Sequence, residues 1–243
     1  MLKPINGLLC FVNNSLGSVL ICNPTTGEKT SWIQTTSGKL AYDEKVVCCE
    51  CDFGFGFHRP TKEHKVVCVY SIIREVEQDV MSEETICEVL TVGSNTWRRM
   101  DEGPFYMVVT GVRSVYVSGF IYWIGYSKPM IDHLFIVGFD VGREKFSKVI
   151  LLPNLIGKSG PKLVEVDGHI SVLDRESDKV TLWIHNDDGN DDGNKWIQEI
   201  IKMPYTLDED SYLAFEAING TNMIILKPFR RHHVELEYLY YYD

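Results

Sequence analysis

The sequence predicts an all-β chain built as a propeller of about five or six four-stranded blades. Three observations predict it: short apolar strands along the whole length, a Gly-led strand that recurs, and aromatic residues that return at a blade-sized interval. The 243 residues suit one large all-β domain. At that size roughly 70–75% of the unfolded chain's surface can be buried, so the core needs no staples.

Taken in order, apolar runs of about five residues stand at Leu8–Val12, Ser18–Cys22, Lys65–Ile72, Glu88–Val92, Phe120–Ile124 and Leu134–Phe139. They continue at Lys162–Val166, His169–Leu173, Val180–Ile184 and Asn222–Leu226, each bounded by Gly, Asn, Asp or Ser. A sustained 3.6-residue apolar period is missing. The stretch Ile72–Met81 comes nearest, but its charges fall on all sides, which predicts a long polar hairpin loop.

These strands repeat in a fixed order. One type reads Gly-apolar-apolar-X-apolar, at Gly7–Phe11, Gly119–Trp123, Gly168–Val172 and, more weakly, Gly220–Ile224. Its glycine is expected to let neighbouring backbones approach closely. A second type ends in a polar turn and then an aromatic, as in Cys22–Gly27 running on to Trp32 and in Val92–Trp97. It returns in Phe139–Phe146, and in Val180–Ile184 followed by an Asp/Asn/Gly turn and Trp196. Trp32, Trp97, Phe146 and Trp196 follow one another at intervals of 65, 49 and 50 residues, and a unit of about 45–50 residues is the period of propeller blades. Such a sheet has two faces to bury, and radial stacking covers both, with the aromatic filling the widening gap between blades. A β-sandwich whose hairpins only look periodic is the alternative architecture.

Charge narrows the partners. With 24 basic against 34 acidic residues the net charge is −10, and phosphate binding needs a basic surplus on one face. Nucleic acid and anionic membrane surfaces are therefore disfavoured. No apolar stretch is long enough to span a bilayer as a helix, and the N-terminus lacks the pattern of a signal peptide. Seven scattered Cys residues make a poor disulfide framework. A cytoplasmic or nuclear location is expected.

The motifs that carry chemistry are weak. Asp188, Asn190, Asp192, Gly193 and Glu199 match the alternating oxygen ligands of a calcium loop. Helices should flank such a loop, whereas Thr181–Ile184 and Ile197–Ile201 read as strands, so a solvated Asx- and Gly-rich hairpin turn is expected. Cys48, Cys49 and Cys51 invite a zinc reading, yet neighbours on a strand point to opposite faces and a second ligand pair is missing. Buried reduced thiols are the simpler reading. Gly54-Phe55-Gly56 lacks the third glycine and the helix of a dinucleotide fingerprint. The G-x-S-x-G, P-loop and H-E-x-x-H patterns are missing too. The basic knot Lys227–His233 reads as a solvated loop or a local anion or partner contact. No catalytic residue, cofactor or metal is expected, and the chain reads as a binding protein rather than an enzyme.

Several of these segments, in this order, resemble the plant F-box-associated domain, a kelch-like propeller. They are Asn6–Cys10, Cys22–Gly27, Phe53–Phe57 followed by Lys65–Val67, Glu88–Trp97, Val117–Trp123, Leu134–Phe146 and Val180–Trp196, covering about Asn6 to Phe229. The resemblance implies a single interaction domain over residues 1–243, of the kind that holds target proteins for an SCF-type ubiquitin ligase. In that family an N-terminal F-box docks on a Skp-type adaptor and, through it, a cullin. The five residues before Asn6 cannot form an F-box, so adaptor binding is expected only of a longer form. The resemblance also leaves open an incomplete closing blade, with the tail Tyr238–Tyr242 lacking its full partner and exposing an edge.

Recognition is expected on rim loops carried by the rigid sheets. The candidate loops are His58–His64, Arg74–Glu84 and Gly125–Asp132. Within them the candidate contacts are His58, Arg59, Lys62, Glu63, Tyr126, Lys128 and Met130, which combine charge with a few apolar anchors. A metal-dependent or glycan-binding propeller is the alternative function, and would require clustered ligands or aromatic platforms at corresponding positions of the repeats. A remnant without an F-box that binds targets competitively is another.

Overall fold

A computed structural model describes residues 1–36, 46–77, 80–101, 107–108, 113–126, 134–152, 161–175, 179–186, 195–202, 211–218, 221, 223–230 and 240–242. Every regular element among them is a strand, and all pairing is antiparallel. The chain divides into two compact units, Met1–Ile150 and Leu151–Asp243.

The first unit holds three sheets. Sheet I is β1 (Leu9–Asn13), β2 (Ser18–Cys22) and β3 (Ile33–Gln34), in that order. The N-terminal segment runs beside β1, with Leu2 N–H donating to Cys10 O (2.9 Å) and Ile5 bridged to Leu8. Sheet II is β4 (Val46–His58), β5 (Glu63–Glu77), β6 (Val80–Thr91) and β7 (Trp97–Arg99), in chain order. Sheet III comprises β8 (Met107–Val108), β9 (Val115–Val117), β10 (Phe120–Tyr126), β11 (Leu134–Asp140) and β12 (Lys145–Leu151), with β10 paired to β8, β9 and β11.

The second unit holds two sheets. Sheet IV is β13 (Lys162–Val166), β14 (His169–Arg175), β15 (Lys179–Asn186) and β16 (Lys195–Lys202), again in chain order. Sheet V is β17 (Ser211–Ala217), β18 (Ile224–Arg230) and β19 (Tyr240–Tyr242). Asp167 N–H donates to Thr221 O (3.0 Å), tying a turn of sheet IV to the β17–β18 connection. Five sheets among the described residues match the five or six units read from the sequence.

Sequence explains why these residues form these strands. β10 and β11 are near-continuous apolar runs whose interior residues are all buried, as expected of strands covered on both faces. β12, at the outer side, alternates between exposed and more buried positions, as a half-covered strand does.

Two turn types punctuate them. Asn6-Gly7, Ser118-Gly119 and Asp167-Gly168 each have positive φ at both residues, the two-residue hairpin turn that matches strand twist. This corrects the role expected of those glycines. A Cβ at Gly7, Gly119 or Gly168 would meet nothing within 4 Å, so the backbone angle, not close approach, requires glycine. The longer turns repeat a second device: Asn23 Oδ1 accepts from Thr25 N–H (3.0 Å), and Asp140 Oδ1 from Gly142 and Arg143 N–H (both 2.9 Å). Each turn then closes through a residue at positive φ, Gly27 and Glu144 respectively.

Glycine does serve close approach in the Phe53–Phe57 stretch. A Cβ on Gly54 would lie 2.4 Å from Ile121 Cγ2 and 2.5 Å from Trp123 Cζ2, and one on Gly56 2.7 Å from Val141 Cγ2. Those two glycines let sheet III seat on β4. The opposite face of β4 carries Phe53 and Phe55 into a core shared with Leu2, Cys10, Val19 and Ile33 of sheet I and its N-terminal segment.

Three further expectations change. Trp97 and Phe146 do pack between sheets, but Trp32 is 51% exposed and the adjacent Ile33 is the buried residue. Ile72–Met81 is not a loop: strand pairing runs through Arg74↔Ser82 to Glu77↔Val80, because backbone ladder bonds need no apolar face. Lys227–Arg230 of the basic knot belong to β18, paired with Ser211–Ala214, and the rest of the knot lies outside the described residues. Tyr240–Tyr242 pair with Ile224–Leu226.

Candidate protein-binding rim

The β4–β5 turn builds one end of the first unit. His58 closes β4, Pro60 sits mid-turn, and Lys62 takes positive φ to reverse the chain into Glu63. Thr61 Oγ1 donates to Glu63 Oε2 (2.8 Å), so His58 Nδ1–H donates to Thr61 Oγ1 (2.8 Å). The His58 ring also lies against Gly142 of the β11–β12 turn, where a Cβ would come within 2.5 Å of Nε2. Arg59 and Lys62 remain exposed, a basic pair on an acidic chain.

Beneath this turn lies a charge network. Lys65 is buried, pairs with Glu144 Oε1 (2.9 Å) and donates to Val141 O (3.2 Å). Glu63 Oε2 stands 3.8 Å from the same ammonium. Glu144 also pairs with Arg98 of β7. Burial works against the Glu144 carboxylate, but Lys65 and Arg98 outweigh it and hold its pKa below the ordinary value. Alongside, Tyr116 Oη donates to Phe57 O (2.6 Å) and Ser114 Oγ to Phe53 O (2.8 Å), joining β9 and the residue before it to the free edge of β4. The turn is thus a rigid platform that presents Arg59 and Lys62.

Tyr126 and the Arg74–Glu84 segment lie at the opposite end of that unit, because β5 and β10 each carry the chain away from this rim. Tyr126 ends β10, half-buried, opposite Met107 and Leu134. Lys128 and Met130 lie outside the described residues. The Arg74–Glu84 segment is the outer part of the β5–β6 hairpin. The structure therefore groups His58, Arg59, Lys62 and Glu63 and separates them from Tyr126.

Sequence reading missed Lys65, Arg98, Gly142 and Glu144. A lysine inside the Val-rich run Lys65–Val69 was the available signal, since a charge there must find a partner. Among the described residues no three His, Cys, Asp or Glu side chains gather as metal ligands. Residues 187–194 of the calcium-like segment lie outside them, and its flanks are the paired strands β15 and β16. Of the cysteine triplet, Cys51 is buried with its thiol 3.0 Å from Asn14 O.

Comparison with known families gives a match to the F-box associated beta propeller domain over residues 1–243. The chain belongs to this family. Among its relatives in Arabidopsis thaliana, it is 27% identical over 190 residues to the protein named as F-box protein At3g17490, covering 75% of this chain and 44% of the relative. It is 25% identical over 235 residues to F-box protein DOR, covering 92% of this chain and 53% of that one. F-box protein At3g07870 is 25% identical over 198 residues, with 74% and 45% covered. The chain spans about half the length of the curated relatives it matches. As an F-box-associated domain, it carries its Gly-led turns and its Phe-Gly-Phe-Gly-Phe strand as the framework that positions the rim.

Proposed function

We propose that this chain is the target-binding part of an SCF-type ubiquitin ligase receptor and carries no catalytic activity of its own. The observation that supports this reading most is the family match along the entire chain, joined to relatives named as F-box proteins. The rim adds chemical support: a turn fixed by internal hydrogen bonds and ion pairs offers Arg59 and Lys62 to a partner at little entropic cost. His58 and Glu63 brace them. Tyr126, at the other end of the strands, is a second contact, and the neighbouring Lys128 and Met130 are proposed as contacts from the sequence alone. In a longer form with an F-box, the Skp-type adaptor and cullin bind elsewhere and bring the target to ubiquitin transfer. The free thiols of Cys10, Cys51, Cys68 and Cys87 suit the reducing cytoplasm or nucleus.

Proximity labelling of the native full-length form in its own tissue tests the reading. It should enrich a small set of proteins over an unrelated propeller control. The double variant Arg59→Glu, Lys62→Glu should reduce that enrichment about tenfold with an unchanged melting temperature, as rim charges steer association without supporting the fold. Failure of the wild type to enrich anything would remove the proposal.

A further inference from the structure

Where sheets II and III meet, three chain segments bring cations to one rim: the β4–β5 turn, the start of β7 and the β11–β12 turn. The His58 ring against Gly142 and the Lys65–Glu144–Arg98 network join them. Strand alternation makes the network possible. Trp97 packs into the core shared with sheet I, so Arg98 beside it turns to sheet III. Lys65 stands opposite Gly56 and turns the same way. Glu144, at positive φ, ends the β11–β12 turn where both cations reach its carboxylate.

Carboxylates are outnumbered there. Glu144 is a single negative charge shared by Lys65 and Arg98. Asp140 Oδ1 accepts from Gly142 and Arg143 N–H, and Oδ2 stands 4.0 Å from the Arg143 guanidinium. Glu63 Oε2 accepts from Thr61 and lies 3.8 Å from Lys65. Among the described residues these three face six cations, since Arg59, Lys62 and Lys145 add exposed charges on or beside the same turns. Arg98 and Arg143 keep 58% and 83% of their side chains exposed, and one carboxylate takes at most two of a guanidinium's five N–H donors. The rim is therefore a basic area on a chain whose net charge is −10.

We propose that this rim binds an extended, acidic segment of a partner protein, whose Asp or Glu side chains pair with Arg59, Lys62, Arg98 and Arg143. Charge complementarity selects that occupant, and the remainder of the chain, more acidic still, repels it from other surfaces. The cations stand on three segments instead of converging on one point, which suits single carboxylates spaced along a peptide better than one phosphate group. Nucleic acid is a poorer occupant, because the acidic remainder of the chain opposes its long run of phosphates. This inference rests on the interaction reading above and names the chemistry of the partner.

The test uses the whole chain and fluorescent octapeptides, (Glu-Ser)₄ and (Lys-Ser)₄, followed by fluorescence anisotropy. In about 0.1 M salt wild type should bind the acidic peptide saturably, with Kd below about 1 mM, and about fivefold more weakly in about 0.5 M salt. Arg143→Glu should weaken binding about fivefold, and adding Arg59→Glu should weaken it about fivefold again, since each reversal turns an attraction into a repulsion. Arg113→Glu, ahead of β9 and away from the rim, makes the same change in net charge and should stay within about twofold of wild type. Equal binding of the basic peptide, tighter binding of an octathymidylate strand, no saturable binding, or equal losses in Arg113→Glu and Arg143→Glu would overturn the proposal. Proximity labelling separates it from the broader reading. An unchanged partner set in Arg143→Glu combined with Arg98→Glu rejects the acidic occupant alone, whereas an empty set in wild type rejects the interaction role itself.

Discussion

The two faces of β4 are built from alternate residues of one five-residue stretch, and they are opposites. Phe53, Phe55 and Phe57 point to sheet I, where the partner side chains are modest in size: Leu2, Cys10, Val19, Ile21 and Ile33. Gly54 and Gly56 point to sheet III, where the partners include Trp123, Ile121 and Val141. Each interface needs about the same filling, since interiors pack to near-uniform density. Bulk can come from either side. What the contrast teaches is that stacked sheets are specified as pairs: a phenylalanine on one face is as much a statement about sheet I as a glycine on the other is about sheet III.

Breaking the thick face should cost most. Phe53 is 1% exposed and packs 6.3 Å from the Trp97 ring, so Phe53→Ala should destabilise by about 4 kcal/mol through lost burial and the cavity left behind. Urea unfolding would measure it, and a loss under about 1 kcal/mol would mean that sheet I collapses into the space.

Filling the thin face should cost slightly less. Gly54→Ala places a methyl 2.4 Å from a branched side chain in a strand whose register holds it, so about 3 kcal/mol should be lost. Removing the clashing Cγ2 should recover part of that loss: Gly54→Ala combined with Ile121→Ala should cost less than the sum of the two single changes. Additive losses in the pair would show that the strain is borne elsewhere.

Much of this framework was legible in the sequence. The Gly-led repeat located β1, β10 and β14, and the polar turns with trailing aromatics located the hairpins that end near Trp97 and Phe146. Their mechanism was harder to read. A glycine needed for positive φ and one needed for space look alike until neighbours are known, so the sequence does not tell Gly7, Gly119 and Gly168 from Gly54 and Gly56. The outer part of the β5–β6 hairpin reads as a loop in sequence because its strands are held by ladder bonds while its charges break every apolar period. In the candidate rim, the loop His58–Glu63 was visible as a polar turn. The Lys65–Glu144–Arg98 network was not, because only folding brings such distant positions together.

A third effect sits at the end of the thin face and depends on pH. Asp52 shares that face with Gly54 and Gly56 and is buried opposite Val69. Phe53 N–H donates to its Oδ1 (2.8 Å), while Oδ2 has no hydrogen bond. Burial dominates, and the Phe53 bond only partly offsets it, so the carboxyl pKa rises from 3.8 to about 7. The folded state therefore holds this proton more tightly than the unfolded chain. Its contribution is fully present below about pH 4 and is lost as pH climbs through about 7. Asp52→Asn keeps the acceptor for Phe53 and abolishes the ionisation. Its stability relative to wild type should be similar near pH 4 and about 4 kcal/mol higher near pH 8. Paired urea titrations at the two pH values would read the difference, and a gap that stays constant between them would show that Asp52 is ionised throughout and compensated within the sheet II–sheet III interface.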